Sequence, residues 1–196
     1  MPKKIEITAY EFAELNVKVQ EQVLDKYRHV IVELDNEWYH PVIEGFEEDM
    51  IEYGIDPEVS FSGFGSQGDG ASFLTTTCDT DLLVRKLYET GHDIPENALL
   101  DSKDYTIIIR RNDNRYSHEN TMYVNRYPGG EDTLTDAEDE KLEAVVLEWA
   151  KTKARELYKN LEKYWDELTS DDEIMEYFSD NEFLFYENGK VLVRTV

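Results

Sequence analysis

Four histidines, one cysteine and an unusually large set of carboxylates are the side chains from which any chemistry here would have to be built. Glu37-x-x-His40 and Glu89-x-x-His92 both have the i, i+3 spacing of half a di-metal carboxylate site. Such a centre also draws glutamates from two further helices, and Gly91 ends a helix where the second motif would hold its ligand. No metal is expected. Cys78 has no base in its own segment, and a thiol without one is a weak nucleophile at neutral pH. His118 is the more interesting group. Alternation over residues 115–124 sets it on one strand face with Tyr116, Asn120, Met122 and Val124. The plainer reading is a hydrogen-bonded interior histidine. The sharper one is an acid–base group, which needs a partner in reach.

Gly65-Ser66-Gln67-Gly68-Asp69-Gly70 is the most distinctive segment. A phosphate cradle requires a helix directly after the glycines, and usually a lysine. Here Ala71–Thr75 reads as a strand, no lysine is near, and Asp69 would repel an anion. A calcium loop needs more spaced oxygen donors than this segment holds. Two readings remain. One is a hairpin connection in which glycines take positive φ and Asp69 or Gln67 bonds back to the backbone. The other is a binding role for Gln67 and Asp69.

The charge pattern points to a partner rather than a reaction. With 44 acidic and 20 basic residues in 196, the formal charge is −24. No Lys or Arg occurs between His29 and Val84, a stretch that holds Glu44, Glu48 and Glu52 at i, i+4 and i+8. Tyr164 to Gly189 is equally free of cations and holds Asp171 and Asp172. Basic residues gather instead around the middle of the chain, at Lys103, Arg110, Arg111, Arg115 and Arg126. Such a surface repels phosphates, so direct contact with nucleic acid is not expected. It suits a basic partner protein, and one that itself grips nucleic acid fits best. The bland alternative is a solvated surface that maintains solubility. Cys78 alone supports neither a disulfide framework nor a cysteine-rich metal site, and it fits a reducing cytosol. No apolar run approaches a membrane span. Candidate binding residues are therefore Glu44, Glu48, Glu52, Gln67, Asp69, Asp171 and Asp172, with no catalytic residue, metal or cofactor assigned.

The elements that must position these groups follow from local signals. Thr8-Ala9-Tyr10-Glu11 has the form of a capping box, followed by a helical stripe of Phe12, Leu15, Val19, Val23, Tyr27 and Val30. A second helix runs from Pro41 to Tyr53 and stops at Gly54. Strands are expected over 58–64 and 71–77, then a helix capped by Asp79. A strand pair follows at Tyr105–Arg110 and Arg115–Val124, turning at Asn112-Asp113-Asn114. A helix of about 30 residues starts from the Thr135/Glu138 capping box. Ser170 and Glu173 open a short helix to Phe178. Phe183–Tyr186 and Lys190–Val196 then form a terminal hairpin around Asn188-Gly189, whose two residues are expected at positive φ. The sum is one α+β domain over residues 1–196, a mainly antiparallel sheet with packed helices.

Phe61-Ser62-Gly63-Phe64-Gly65-Ser66-Gln67-Gly68-Asp69-Gly70-Ala71-Ser72-Phe73 resembles the signature of a family of small acidic proteins encoded by bacteriophages and other mobile elements. The tail from Leu168 through Phe185 to Lys190 is similar to that family's C-terminal region. Some of its members carry an antitoxin-like label. The resemblance implies a phage or mobile-element origin and a place in the host cytosol, and it carries over no catalytic residue. Three functions follow as expectations. The first is a non-enzymatic accessory protein that binds a basic host protein, in the manner of a nucleic-acid mimic inhibiting an antiviral defence nuclease. The second is an antitoxin or regulator that neutralises a toxin. The third is an enzyme with its site near the glycine-rich hairpin and His118.

Overall fold

The computed structural model describes residues 6–112 and 116–192. In chain order its helices are α1 (Val17–Tyr27), α2 (Val30–Leu34), α3 (His40–Ile51), α4 (Thr80–Glu89), α5 (Glu96–Leu100), α6 (Asp136–Leu168) and α7 (Asp171–Asp180). Its strands are β1 (Ile55–Phe61), β2 (Ala71–Cys78), β3 (Tyr105–Arg111) and β4 (Met122–Pro128), with short 3-10 turns at Phe12–Glu14 and Glu119–Thr121. The architecture is α+β, with antiparallel strand pairs and one long helix in the C-terminal half. Two compact units divide the chain: residues 40–162, and residues 1–39 together with 163–196.

In the 40–162 unit, β1 pairs with β2 and β3 with β4, both antiparallel. β2 and β3 lie side by side but share no ladder. A threonine hydroxyl joins them instead, Ile109 N–H donating to Thr75 Oγ1 at 3.2 Å, while Ile107 N–H of β3 donates to Thr80 Oγ1 at the start of α4 at 3.0 Å. Both hydroxyls are buried, and each satisfies an amide that burial would otherwise leave costly. α3 packs on β1 and α4 on β3. Met50, Leu83, Leu87, Ile107, Ile109, Leu142 and Leu161 are fully enclosed. The long helix begins as its caps dictate: Thr135 N–H donates to Glu138 Oε2 at 2.9 Å, and Glu138 N–H returns to Thr135 Oγ1 at 3.3 Å. Asp136, Glu138 and Asp139 in its first turn complement the helix dipole.

The other unit has a core of Phe12, Leu15, Val23, Ile174, Phe178 and Phe185. α1 and α7 pack together around it, and the chain closes as Phe185 bridges both Tyr10 and Val191. Ser170 caps α7 by accepting from Glu173 N–H at 3.2 Å.

Several expected elements shift. The stripe expected to start a helix after Thr8 does so only at Val17, because Tyr10 is drawn into its bridge with Phe185. Asn16 caps that helix by accepting from Lys18 N–H at 3.0 Å. β1 begins at Ile55 rather than 58 and carries Pro57 at a register shift, where a missing amide is tolerated. The strand expected from Arg115 begins at Met122, since Glu119–Thr121 forms a 3-10 turn. His118 therefore lies ahead of the strand and does not alternate with Asn120 and Met122. The terminal hairpin forms around Gly189 at φ 78°, while Asn188 does not take positive φ. Gly189 N–H donates to Tyr186 O at 2.8 Å and Tyr186 N–H to Lys190 O at 2.9 Å, a three-residue connection ending in a left-handed glycine. The expected turn at 113–114, Arg115, and the last residues of the final strand (193–196) lie outside the described residues.

Candidate functional site

Three places hold the residues singled out from the sequence. The first is the outer face of α3. Phe46 and Met50 bury one side of that helix, and Gly54 at φ 70° ends its turn. Glu44 and Glu48 are then left exposed one turn apart. Glu52 is also exposed but sits just past the helix end at Ile51, so the ladder is two rungs of helix and one of turn. A groove of about 430 Å³ runs between α3 and α6, lined among others by Glu48, Asp49, Lys153 and Glu156. Lys153 is the cation of this groove. Burial pulls its ammonium down, but a 2.8 Å bond to Glu156 and the nearby charges of Glu156 and Asp49 hold it above the ordinary lysine range.

The second place is the glycine-rich hairpin joining β1 to β2. Asp69 closes its turn, since Oδ2 accepts from Ser66 N–H at 2.6 Å and Asp69 N–H donates to Ser66 O at 3.1 Å. Gln67 is exposed at the tip. The glycines make room for residues 116–118. A Cβ on Gly68 would stand 3.0 Å from the Tyr116 ring, and one on Gly70 would stand 3.1 Å from the backbone and ring of His118. From α6, Tyr158 OH donates to Gly63 O at 3.1 Å, and its ring packs on Phe64 at 5.5 Å between centroids. Burial, with Asp69 and Glu162 nearby, raises the Tyr158 phenol above its ordinary value.

The fold thus joins the hairpin and His118, which sequence placed on separate elements. His118 Nδ1 lies 2.8 Å from Glu119 Oε2, and Glu119 Oε1 lies 3.5 Å from Arg155 Nε. Arg155 reaches on to Glu148 at 2.9 Å. His118 Nδ1 also accepts from Asn120 N–H at 3.1 Å, capping the 3-10 turn, and in that bond it has no proton to give Glu119. The described residues set no cysteine or serine hydroxyl in a bond with that imidazole. Cys78 is elsewhere, and burial pushes its thiol up to about 11, which leaves it protonated and unreactive. Glu119, Arg155 and Tyr158 were not singled out from the sequence. They meet His118 and the hairpin from distant positions, and no local pattern announces them.

The third place is the start of α7. Asp171 pairs with Arg28 at 2.9 Å, while Asp172 is exposed. Both lie in a first helical turn, where acids relieve the dipole. The structure does not bring Asp171 and Asp172 together with Glu44, Glu48 and Glu52 in one element or one compact unit. The two Glu-x-x-His motifs gather no centre: among the described residues no group of three or more His, Cys, Asp or Glu side chains is placed to hold a metal. His92 Nδ1 instead lies 3.1 Å from Leu87 O, at the end of α4. No helix among the described residues is long and apolar enough to cross a membrane.

Fold and sites together define an acidic α+β protein whose distinctive loop is packed from two sides and whose α3 carboxylates are left facing outward. The chain belongs to the family described as a domain of unknown function (DUF8835), whose model matches residues 38–171. That match takes in the whole of the 40–162 unit. Comparison with curated proteins and with solved structures returns no match.

Proposed function

We propose that this protein acts by binding, its α3 carboxylates docking a cationic host protein whose own groove grips nucleic acid, such as an antiviral defence nuclease. One observation carries the reading. The side chains of Glu44, Glu48 and Glu52 are exposed and make no hydrogen bond or ion pair among the described residues. Acids elsewhere in the same unit, such as Asp81, Asp132, Asp139 and Glu148, are each held by a cation. Like charges one helical turn apart cost a few tenths of a kcal/mol. Left unneutralised, they speed encounter with a partner of opposite sign and select against one of the same sign. The resemblance of the glycine-rich segment to phage and mobile-element proteins supports a host target in the cytosol.

The test is the triple variant Glu44→Gln, Glu48→Gln, Glu52→Gln, with the wild-type chain used to capture proteins from host lysate at low and high salt. A basic protein should be captured at low salt, released at high salt, and bound about tenfold more weakly by the variant, as expected for losing three rim charges. Capture unchanged by salt and by the variant refutes the reading. The chain from His118 through Glu119 to Arg155 favours a second reading, an enzyme acting beside the hairpin. It requires that His118→Gln abolish a turnover while thermal unfolding stays unchanged.

A further inference from the structure

We infer that the groove between α3 and α6 seats an arginine side chain of the basic partner, its stem lying across Gly45 and its guanidinium held by Glu48 and Asp49. This site rests on the α3 reading and deepens it, since Glu48 belongs to both. Gly45 is the first observation. It lies in the interior of α3 without a positive φ, and a Cβ built on it would meet no described atom within 4 Å. Neither a turn nor tight packing within the chain calls for glycine there, and alanine would make the stronger helix. A glycine that weakens its helix and leaves open space above the backbone suits a close approach from outside.

The groove around that glycine is the second observation. Val42, Gly45 and Asp49 follow one another at three- and four-residue steps and so share one face of α3, and Lys153, Glu156 and Asn160 do the same on α6. Those two faces line the groove, with Val42, Phe46 and Leu157 supplying apolar surface beside Gly45. Its volume of about 430 Å³ is within the range of sites that enclose a small ligand, and a long side chain fits it.

Charge is the third, and it says what fills the groove. Lys153 is already taken by Glu156 at 2.8 Å. The carboxylates of Glu48 and Asp49 are exposed and make no hydrogen bond or ion pair among the described residues. Asp49 is near enough to help keep the Lys153 ammonium charged, yet it forms no bond with it. The lining is thus left with two acids that no cation holds, which repel an anion and attract a base. Arginine matches better than lysine. Its planar guanidinium has five donors for two carboxylates and lies readily on apolar surface, whereas an ammonium is compact and strongly hydrated. Arginines that grip phosphate bond carboxylates with the same fork, so a protein built to hold nucleic acid presents the required group.

The probe is acetylated tetra-arginine, titrated at low salt into the full chain and followed by NMR at the Gly45 backbone amide and the Asn160 side-chain amide, both in the groove lining. Both should shift saturably. Tetra-lysine, of equal charge, should bind there about tenfold more weakly. Gly45→Ala should raise the thermal midpoint by about 2–4 °C yet weaken tetra-arginine about tenfold, read at Asn160, so that lost folding does not explain lost binding. Glu48→Gln with Asp49→Asn should weaken it at least as much. Glu176→Gln with Asp180→Asn, which removes the same charge from the other unit, should leave it unchanged. The groove is overturned by no saturable shift at Gly45 and Asn160, by equal binding of tetra-lysine, or by wild-type affinity in either the Gly45→Ala or the Glu48→Gln, Asp49→Asn variant. Each of those results leaves the α3 reading standing, because that reading falls only if lysate capture ignores both salt and the triple glutamine variant.

Discussion

Arg126 is the buried cation whose removal should cost most. Its side chain is 3% exposed, with Nε 2.5 Å from Asp139 and Nη2 2.6 Å from Asp132. The guanidinium also lies 5.2 Å from the centroid of the Tyr105 ring. It ties strand β4 to the loop before α6 and to the first turn of that helix. Breaking a wholly buried pair costs about 3–5 kcal/mol. Here the two acids are 42% and 34% exposed and can return to water, which lowers the cost of Arg126→Met to about 2–3 kcal/mol. In a chain of this length that is a fall in thermal midpoint of about 4–12 °C. Arg126→Lys keeps the charge but not the fork, so it should lie between wild type and Arg126→Met.

The same clamp has a pH signature. The hydrogen bond from Arg126 lowers the Asp132 carboxyl below its ordinary value. A carboxyl depressed in the folded state stabilises fully above its unfolded pKa of about 3.9, and that stability is lost as pH falls through the lower folded value. Thermal unfolding of wild type and Arg126→Met, followed by circular dichroism from neutral pH to about pH 2, should therefore show a constant gap above about pH 4 that narrows progressively below it. A double-mutant cycle with Asp132→Asn should show coupling. If Arg126→Met costs under about 1 kcal/mol, or if the two substitutions are additive, the clamp contributes little and the reasoning fails.

Two further substitutions test the packing. Gly189→Ala would place a Cβ 2.6 Å from Val23 Cγ2 at φ 78°, a cost of about 2–3 kcal/mol by thermal unfolding. Gly91→Ala, at φ 88° with open space around it, should cost only about 1 kcal/mol, and equal costs would refute the contact argument. Thr80→Val keeps the shape but leaves the buried Ile107 amide without its acceptor, a loss of about 1–3 kcal/mol in urea or thermal unfolding. A neutral Thr80→Val would mean that another acceptor replaces the hydroxyl.

Helix ends were readable because their signals are local. Asp79 accepts from Leu82 N–H, Ser170 from Glu173 N–H, and Thr135 exchanges bonds with Glu138, each within four residues of sequence. The hairpin around Gly65–Gly70 was readable for the same reason. Thr8-x-x-Glu11 carries the same letters as those caps, but long-range pairing of Tyr10 with Phe185 overrides it. Alternation over Tyr116–Val124 misleads because a 3-10 turn interrupts it at Glu119. The close approach of Gly70 to His118 depends on tertiary packing, as does the bond from Tyr158 to Gly63, and periodicity contains neither. Gly65 and Gly68 take the positive φ expected of a hairpin connection, while the room that Gly68 and Gly70 make for Tyr116 and His118 depends on packing from outside the loop.

The pairing of Tyr10 with Phe185 has a consequence for biosynthesis. A ribosome delivers residues 40–162 as one uninterrupted stretch, so that part can reach its native contacts while translation continues. The partners of Phe12 and Leu15 include Ile174, Phe178 and Phe185, which emerge only after that whole stretch. Until then the apolar stripe of Phe12, Leu15 and Val23 has to wait, exposed to chaperones and proteases, so its unit settles after the 40–162 unit although it holds earlier residues.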